Sequence, residues 1–468
     1  MKKDQDIKRL LMVGFGSIGQ AVLPLIFKQF ALSSEQVTII TATDEGQDVA
    51  KKYGISPIIL PLTQQNYRHM ILEYLQEGDV LLNLSVDISS KALIELSQEV
   101  GALYLDTCIE PWAGGYTNPE KSPAERSNYV LREDLLTLKS RFPKGPTALV
   151  AHGANPGLVS HFVKQAMLDI ANDIGLTYEK PTHREGWAKL ANELEIKVIH
   201  VAEQDTQILN RARLKHEFLN TWSVEGFIGE GAQPAELGWG SHEKHFPEDG
   251  AEHAFGCGAA IYLKRPGLTA RVRSWTPRGG AIQALLITHN EAISLSDYLT
   301  VKSGKTVTYR PTVYYSYQPS DVALLSVHDF LGNNMQKPAT LKVIREEIVA
   351  GMDELGVLLM GHAKNAYWFG SQLTIEEARS KAPYNSATSL QVAAGVLSGL
   401  VWVLNHPNEG IVEPEDMDFE EAIDVALPYL GKLTGTYTDW TPLKNRVPLF
   451  DEPIDKQDPW QFVNFRLS

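Results

Sequence analysis

Ile7-Lys-Arg-Leu-Leu-Met-Val-Gly14-Phe-Gly16-Ser17-Ile18-Gly19 is the stretch that decides the fold of this 468-residue chain. The apolar run Leu10 to Val13 reads as a buried strand, and it leads into Gly14-x-Gly16-x-x-Gly19. Apolar residues at helical spacing follow at once: Ile18, Val22, Leu25 and Ile26. In a strand–turn–helix of this kind the first glycine permits the tight turn. The second lets a pyrophosphate approach the backbone, and the third lets helix and strand pack closely. The unpaired N–H groups and the dipole of the helix N-terminus favour the negative charge of the phosphates. A second strand, Val37 to Thr43, ends in Asp44, and Glu45-Gly46-Gln47 follows without an arginine. A carboxylate there accepts hydrogen bonds from both ribose hydroxyls and repels a 2′-phosphate. The cofactor predicted is NAD rather than NADP, held by Gly14, Gly16, Ser17, Ile18, Gly19 and Asp44.

Composition narrows the class. The chain carries 57 acidic and 43 basic residues, a formal charge of −14. That balance disfavours nucleic acid and anionic membrane as partners and suits a cationic substrate. Two cysteines, Cys108 and Cys257, make neither a disulfide framework nor a cysteine-rich metal site, and no metal is expected. The charged start runs straight into the first strand, unlike a signal peptide. The apolar run Leu390 to Leu404 is interrupted by Gln391 and Ser398 and is shorter than a bilayer needs, so it reads as a buried helix. The expected location is the cytoplasm.

The first 150 residues alternate strand and helix, with strands at Leu10–Val13, Val37–Ala42, Ile58–Leu60, Val80–Leu84, Leu103–Asp106 and Ala148–Ala151. The expected class is α/β: a Rossmann-type doubly wound parallel sheet plus a second α+β domain. The boundaries expected are 1–155 for the NAD-binding domain and 156–384 for a substrate domain with a mixed sheet. A helix in 385–468 would pack back on the first domain, ahead of a Pro- and aromatic-rich tail. Ligands on doubly wound sheets bind beyond the carboxyl ends of the strands. Three such ends carry polar groups: Asn83-Leu-Ser85-Val-Asp87, Asp106-Thr107-Cys-Ile-Glu110 and His152-Gly-Ala-Asn155-Pro156-Gly157. Ser85, Thr107, Asn155 and Pro156 are expected on the cofactor side of that crevice, and Pro156 suits the first turn of the helix that follows. Beyond residue 180, strand-like runs include Glu195–Ala202, Ala259–Leu263 and Val322–Val327, with helical patterns at Thr340–Gly351 and Tyr384–Leu404.

One segment of the second half is unusual in chemistry. Asn220 to Gly240 gathers Trp222, Glu225, Glu230, Glu236 and Trp239 among many glycines, with no lysine or arginine. As a loop it either boxes an ammonium group between aromatic faces and carboxylates or covers the core as a surface loop. Glu203, ending the preceding strand, joins that box or stands solvated. His289-Asn-Glu291 ends the apolar strand Ala281–Thr288, where a histidine is a proton carrier near neutrality or a polar cap. His242-Glu-Lys-His245 lacks metalloprotease spacing, Gly304-Lys-Thr306 lacks the upstream glycine of a phosphate loop, and no GxSxG elbow occurs.

Taken together, the glycine-rich start, Ile109-Glu-Pro-Trp112, His152–Gly157, the Trp222–Glu236 segment and Arg273-Ser-Trp-Thr-Pro-Arg-Gly-Gly280 with Thr288–Glu291 resemble the bacterial homospermidine synthase family. Its wider relatives are saccharopine and carboxynorspermidine dehydrogenases. The resemblance spans essentially the whole chain. It implies a transferase that uses NAD without net redox change to join two putrescines, or putrescine and spermidine, with release of ammonia or diaminopropane. It also implies small cationic polyamine substrates and a homodimer. Under it, Trp222 stabilises a cationic amine or iminium, while Glu203, Glu230 and Glu225 meet ammonium groups. His289 with Asn155 positions the reacting nitrogen or relays protons, and Asp87 and Glu110 line the nicotinamide side. Two other readings stay open: an NAD(P) dehydrogenase of the saccharopine or carboxynorspermidine type, and an NAD-binding sensor without catalysis.

Overall fold

The computed structural model describes residues 7–447 and 450–467; the charged start at 1–6, Pro448 and Leu449 of the tail, and Ser468 lie outside them. Strand β1 (Leu10–Val13) stands inside a seven-stranded parallel sheet. Beside it lie β2 (Val37–Thr41) and β3 (Ile58–Ile59) on one side. On the other are β4 (Val80–Asn83), β5 (Leu103–Asp106), β6 (Ala148–Leu149) and the late strand Ile411–Val412. The strand order reverses between β1 and β4, which opens a crevice beyond the carboxyl ends there. All four residues of β1, β4 and β5 are buried, as expected when helices cover both faces of a parallel sheet.

Helix α1 (Ser17–Gln29) leaves the glycine turn and is covered by the apolar helix Ala387–Asn405. That helix extends past the apolar run Leu390–Leu404 at both ends and is long and apolar enough to cross a membrane. However, 89% of its most apolar stretch is buried inside the protein, so it is a core helix.

The second sheet is mixed. Its strand β7 (Val198–Asp205) runs parallel to Thr312–Gln318 and antiparallel to Met352–Met360. Strand alternation sorts its residues. Ile199 and Val201 enter the core shared with α1 and the helix Leu158–Asp173, while Val198 and Ala202 enter the core on the other face. Glu203 and Asp205 fall on the first of these faces, toward the parallel sheet.

Three expectations need correction. Val322–Val327 lies inside the helix Asp321–Gly332, not in a strand. The helical pattern at 340–351 is instead two short strands, Thr340–Val343 and Ile348–Ala350, paired with Glu217–Asn220 and Ile208–Leu209. The segment 220–240 is no loop: Ser223 caps a helix, Val224–Ala232, by accepting from the Gly226 N–H at 3.0 Å, and the strand Pro234–Gly238 follows. The tail folds onto the second sheet, burying Trp460, Phe462 and Phe465.

Buried charge clamps the two sheets' helices together. The Glu236 carboxylate accepts from the Asn128 N–H (2.7 Å) and Thr288 Oγ1 (2.7 Å), tying the helix Asn128–Leu136 to the strand before His289. Arg132 on the same helix donates to both oxygens of Glu413, at 2.7 and 2.8 Å, and to Asp297 at 3.2 Å. Asp297 ends the helix that begins just after His289, so this clamp also sets the histidine. Truncating one member of a buried ion pair strands its partner, at a cost of about 3–5 kcal/mol. Arg132→Ala should therefore lower the thermal midpoint clearly; an unchanged midpoint would show that the clamp holds nothing.

Candidate active site

The glycine turn has the shape its sequence predicts. Gly14 sits at φ +89°, and a Cβ there would come within 2.6 Å of the Leu84 carbonyl oxygen. At Gly19 a Cβ would meet the Gly14 oxygen and the Phe15 ring, both at 3.0 Å, so strand and helix are already in contact. Gly16 has nothing within 4 Å on its side-chain side, which is where a phosphate can approach. The helix N-terminus has no side-chain cap, and the Ser17 hydroxyl is buried without a partner. Orphaned donors around an open glycine are what a pyrophosphate satisfies. Ile18 is half-buried against the core, and Asp44 is exposed just past β2. Ser85 and Thr107 are half-buried at the β4 and β5 ends; Thr107 lies beside Gly153, in the turn that carries Asn155 and Pro156. The helix after that turn begins at Leu158 rather than at Pro156, with Gly157 at its cap, and the Asn155–Pro156 peptide is cis. These residues fit a dinucleotide.

Facing this turn is a buried acidic group. The Glu203 Oε2 accepts from Asn155 Nδ2 at 3.1 Å and from the Tyr315 hydroxyl at 2.7 Å, so the strand-end turn of one sheet is bonded to the strand end of the other. Burial raises the Glu203 pKa to about 7, with Asp205 adding repulsion and His289 and the two hydrogen bonds opposing. Asp205 lies two residues on, accepting from Thr221 Oγ1 at 2.6 Å, and it pairs across strands with Asp353. Asp353 is fully buried and one of its oxygens has no partner. Its pKa is raised well above the usual range by burial and by Glu203 and Asp205.

His289 closes the group. Its Nε2 lies 3.2 Å from Glu230, its Nδ1 3.1 Å from Glu291, and its ring 4.2 Å from that of Tyr315. Burial opposes a charge on the ring, but the two carboxylates outweigh it and hold the pKa up at about 10. The histidine expected to titrate near neutrality is thus an imidazolium, a donor and not a base. Glu110 is buried, and burial raises it to about 8; its Oε2 accepts the Asp87 N–H at 3.3 Å, and Glu230 acts on its charge. Trp222 is half-buried, its indole N–H on the Tyr317 hydroxyl at 3.2 Å.

The structure thus brings together Asn155, Glu203, Glu230, His289, Glu110 and Trp222. Asp87 reaches the group through its backbone at φ 66°, with an exposed side chain. Glu225 is exposed on the first turn of the helix Val224–Ala232, and among the described residues no hydrogen bond or ion pair joins it to the group. Tyr315, Tyr317, Asp205 and Asp353 were not singled out in sequence. The alternation Tyr315-Ser-Tyr317 and the i, i+2 pair Glu203–Asp205 carried the signal.

Comparison with known proteins gives the family. Residues 10–149 match the family described as saccharopine dehydrogenase NADP binding domain, and residues 153–438 match saccharopine dehydrogenase C-terminal domain. The chain is 50% identical to the homospermidine synthase of Blastochloris viridis, over 97% of this chain and 96% of that one. It is 48% identical to the homospermidine synthase of Mesorhizobium japonicum, over 97% and 95%. The chain belongs to the homospermidine synthase family. The crystal structure of the homospermidine synthase of Legionella pneumophila in complex with NAD superposes with a TM-score of 0.92 at 50% identity, covering 98% of each chain. That homospermidine synthase therefore shares this chain's whole architecture. Placing alanine at Gly14 sets a Cβ against Leu84 in a left-handed backbone. Gly14→Ala should weaken NAD binding at least about tenfold by calorimetry; wild-type affinity would mean that the turn does not cradle the cofactor.

Proposed function

We propose that this chain is a homospermidine synthase: it transfers an aminobutyl group from one putrescine to another, releases ammonia, and uses NAD without net oxidation. The observation that carries this is the hydrogen bond between Asn155, in the dinucleotide crevice, and Glu203, in a buried acidic group whose contacting cation is His289. A carboxylate-bearing substrate of the saccharopine type needs arginine forks; the buried group of Glu203, Asp205, Asp353, Glu110 and Glu230 offers it none, and each of these carboxyls that ionises repels it.

NAD would be held by Gly14, Gly16, Ser17, Gly19 and the strand ends at Ser85, Thr107 and Asn155, with Asp44 on the adenosine ribose, where it disfavours a 2′-phosphate. When bound, NAD supplies an acceptor and returner of hydride at the carbon bearing the reacting amine. The chain's own groups do the rest. Glu203, near neutral in pKa, takes the proton from the reacting ammonium, because a protonated nitrogen cannot become an imine. Asn155 and Tyr315 orient that carboxylate. Glu110 and Glu230 neutralise ammonium groups. Trp222 offers an aromatic surface to the iminium, worth about 0.5–2 kcal/mol. His289, already charged, gives a proton to the departing nitrogen and keeps Glu230 and Glu291 in place. Burial of the whole group keeps bulk water from the imine.

The reading extends to a cytoplasmic homodimer, with division into a cofactor domain at 1–155, a substrate domain at 156–384 and a returning C-terminal segment. The test is incubation with putrescine and NAD and separation of products by mass: homospermidine and ammonia are expected, whereas steady NADH release without a coupled polyamine would contradict the reading. In the same assay kcat/KM should rise with pH through about 7 as the Glu203 carboxyl ionises. Glu203→Gln should remove that limb; a limb that survives the substitution belongs to another group.

A further inference from the structure

The adenosine end of the cofactor crevice is bordered by a side chain from the far part of the chain. Arg345 lies between the strands Thr340–Val343 and Ile348–Ala350, a segment anchored to the second half of the molecule. The Ile344 N–H is held by the Asn220 carbonyl at 2.8 Å, and Arg379 binds the Arg345 carbonyl at 2.7 Å. From this fixed backbone the Arg345 Nη1 donates to Gln20 Oε1 at 2.8 Å. The Gln20 Nε2 in turn donates to the Phe15 carbonyl, inside the glycine turn, at 3.1 Å. The Gln20 amide lies directly against Gly46, where a Cβ would come within 2.6 Å of its Cδ. Gly46 stands two residues after Asp44. Arg345 is therefore one hydrogen bond from the loop on which an adenosine ribose would rest.

Its Nη2 is buried and has no partner among the described residues. Burial weighs against its charge, while Glu45 and Asp48 on the same loop and the neighbouring Glu346 support it. A half-buried arginine with a free Nη2, one face on an acidic loop and no full ion pair, is poised for a ligand, and a guanidinium plane suits an adenine nucleotide. Two further bonds stitch the same seam, Lys52 Nζ to the Tyr384 hydroxyl at 2.9 Å and Asn385 Nδ2 to the Ala21 carbonyl at 3.1 Å.

We propose that Arg345 is a cofactor-binding residue, whose guanidinium engages the adenosine half of NAD and holds the far part of the chain closed over it. The inference rests on the reading that NAD occupies the glycine turn. It gives a physical reason for slow cofactor exchange, which a redox-neutral cycle requires: NAD leaves only when the seam opens.

The test loads the purified protein with isotopically labelled NAD and follows its displacement by unlabelled NAD, alongside calorimetry with AMP and with nicotinamide mononucleotide. Arg345→Ala should speed displacement and weaken AMP at least about tenfold, leaving nicotinamide mononucleotide unaffected. Arg345→Lys, which keeps the charge but loses the planar fork, should also lose AMP affinity, and it serves if the alanine variant does not fold. Wild-type exchange and AMP affinity in either folded variant would overturn the proposal while leaving the cofactor reading intact. Failure of the wild-type protein to bind NAD would overturn both.

Discussion

A cluster of carboxyl groups buried at the seam between the two sheets is the constraint on which the site depends. Glu203, Asp205 and Asp353 end neighbouring strands of the second sheet on one face, and Glu110 closes the opposite wall at the β5 end. Taking a carboxylate out of water costs several kcal/mol unless a partner compensates. Burial accordingly raises the pKa of all four, to about 7 for Glu203 and about 8 for Glu110. His289 supplies one positive charge, and Glu230 and Glu291 absorb it. A diammonium guest would let these carboxyls ionise, so the buried cluster and a dicationic ligand are complementary.

The architecture divides the work between two layers. The parallel sheet contributes a glycine turn and three strand ends at the point where the strand order reverses, a crevice that fits a dinucleotide. The mixed sheet contributes carboxylates, because β7 alternates and its site face ends in Glu203 and Asp205. Asn155 joins the layers, with Arg132 and Glu236 as the supporting clamp behind them. A site built across such a seam can be closed from water, which a reaction through a hydrolysable imine demands.

Much of this was legible before folding. The strands of the parallel sheet are continuous apolar runs ended by polar residues, and Leu103–Asp106 was read to the residue. The glycine turn carries its own stereochemistry. Three places misled, each for a physical reason. Val322–Val327 is a short apolar run, and only its placement in the helix Asp321–Gly332 shows its period. The charged stretch 340–350 has helical composition but is captured by pairing with Glu217–Asn220. The glycines of 226–231 look like a loop, yet Gly231 is required where a Cβ would strike Leu268 at 2.4 Å. In the site, Glu203, His289 and Trp222 stood out as residue types, but the tyrosines and Asp353 that surround them come together only through sheet register. Glu291, two residues on, signalled part of the charge on His289, but the second carboxylate, Glu230, comes within 3.2 Å only through the fold.

The central claim is that one protein-bound NAD accepts and returns the same hydride within the buried crevice. The direct test is turnover of putrescine deuterated at its amine-bearing carbons, mixed with unlabelled putrescine and an excess of unlabelled NADH in solution. Homospermidine that keeps every deuteron of its donor half is the predicted result. Replacement of one deuteron by protium at the joined carbon would show that the reduced cofactor exchanges with the bulk, and would contradict the account.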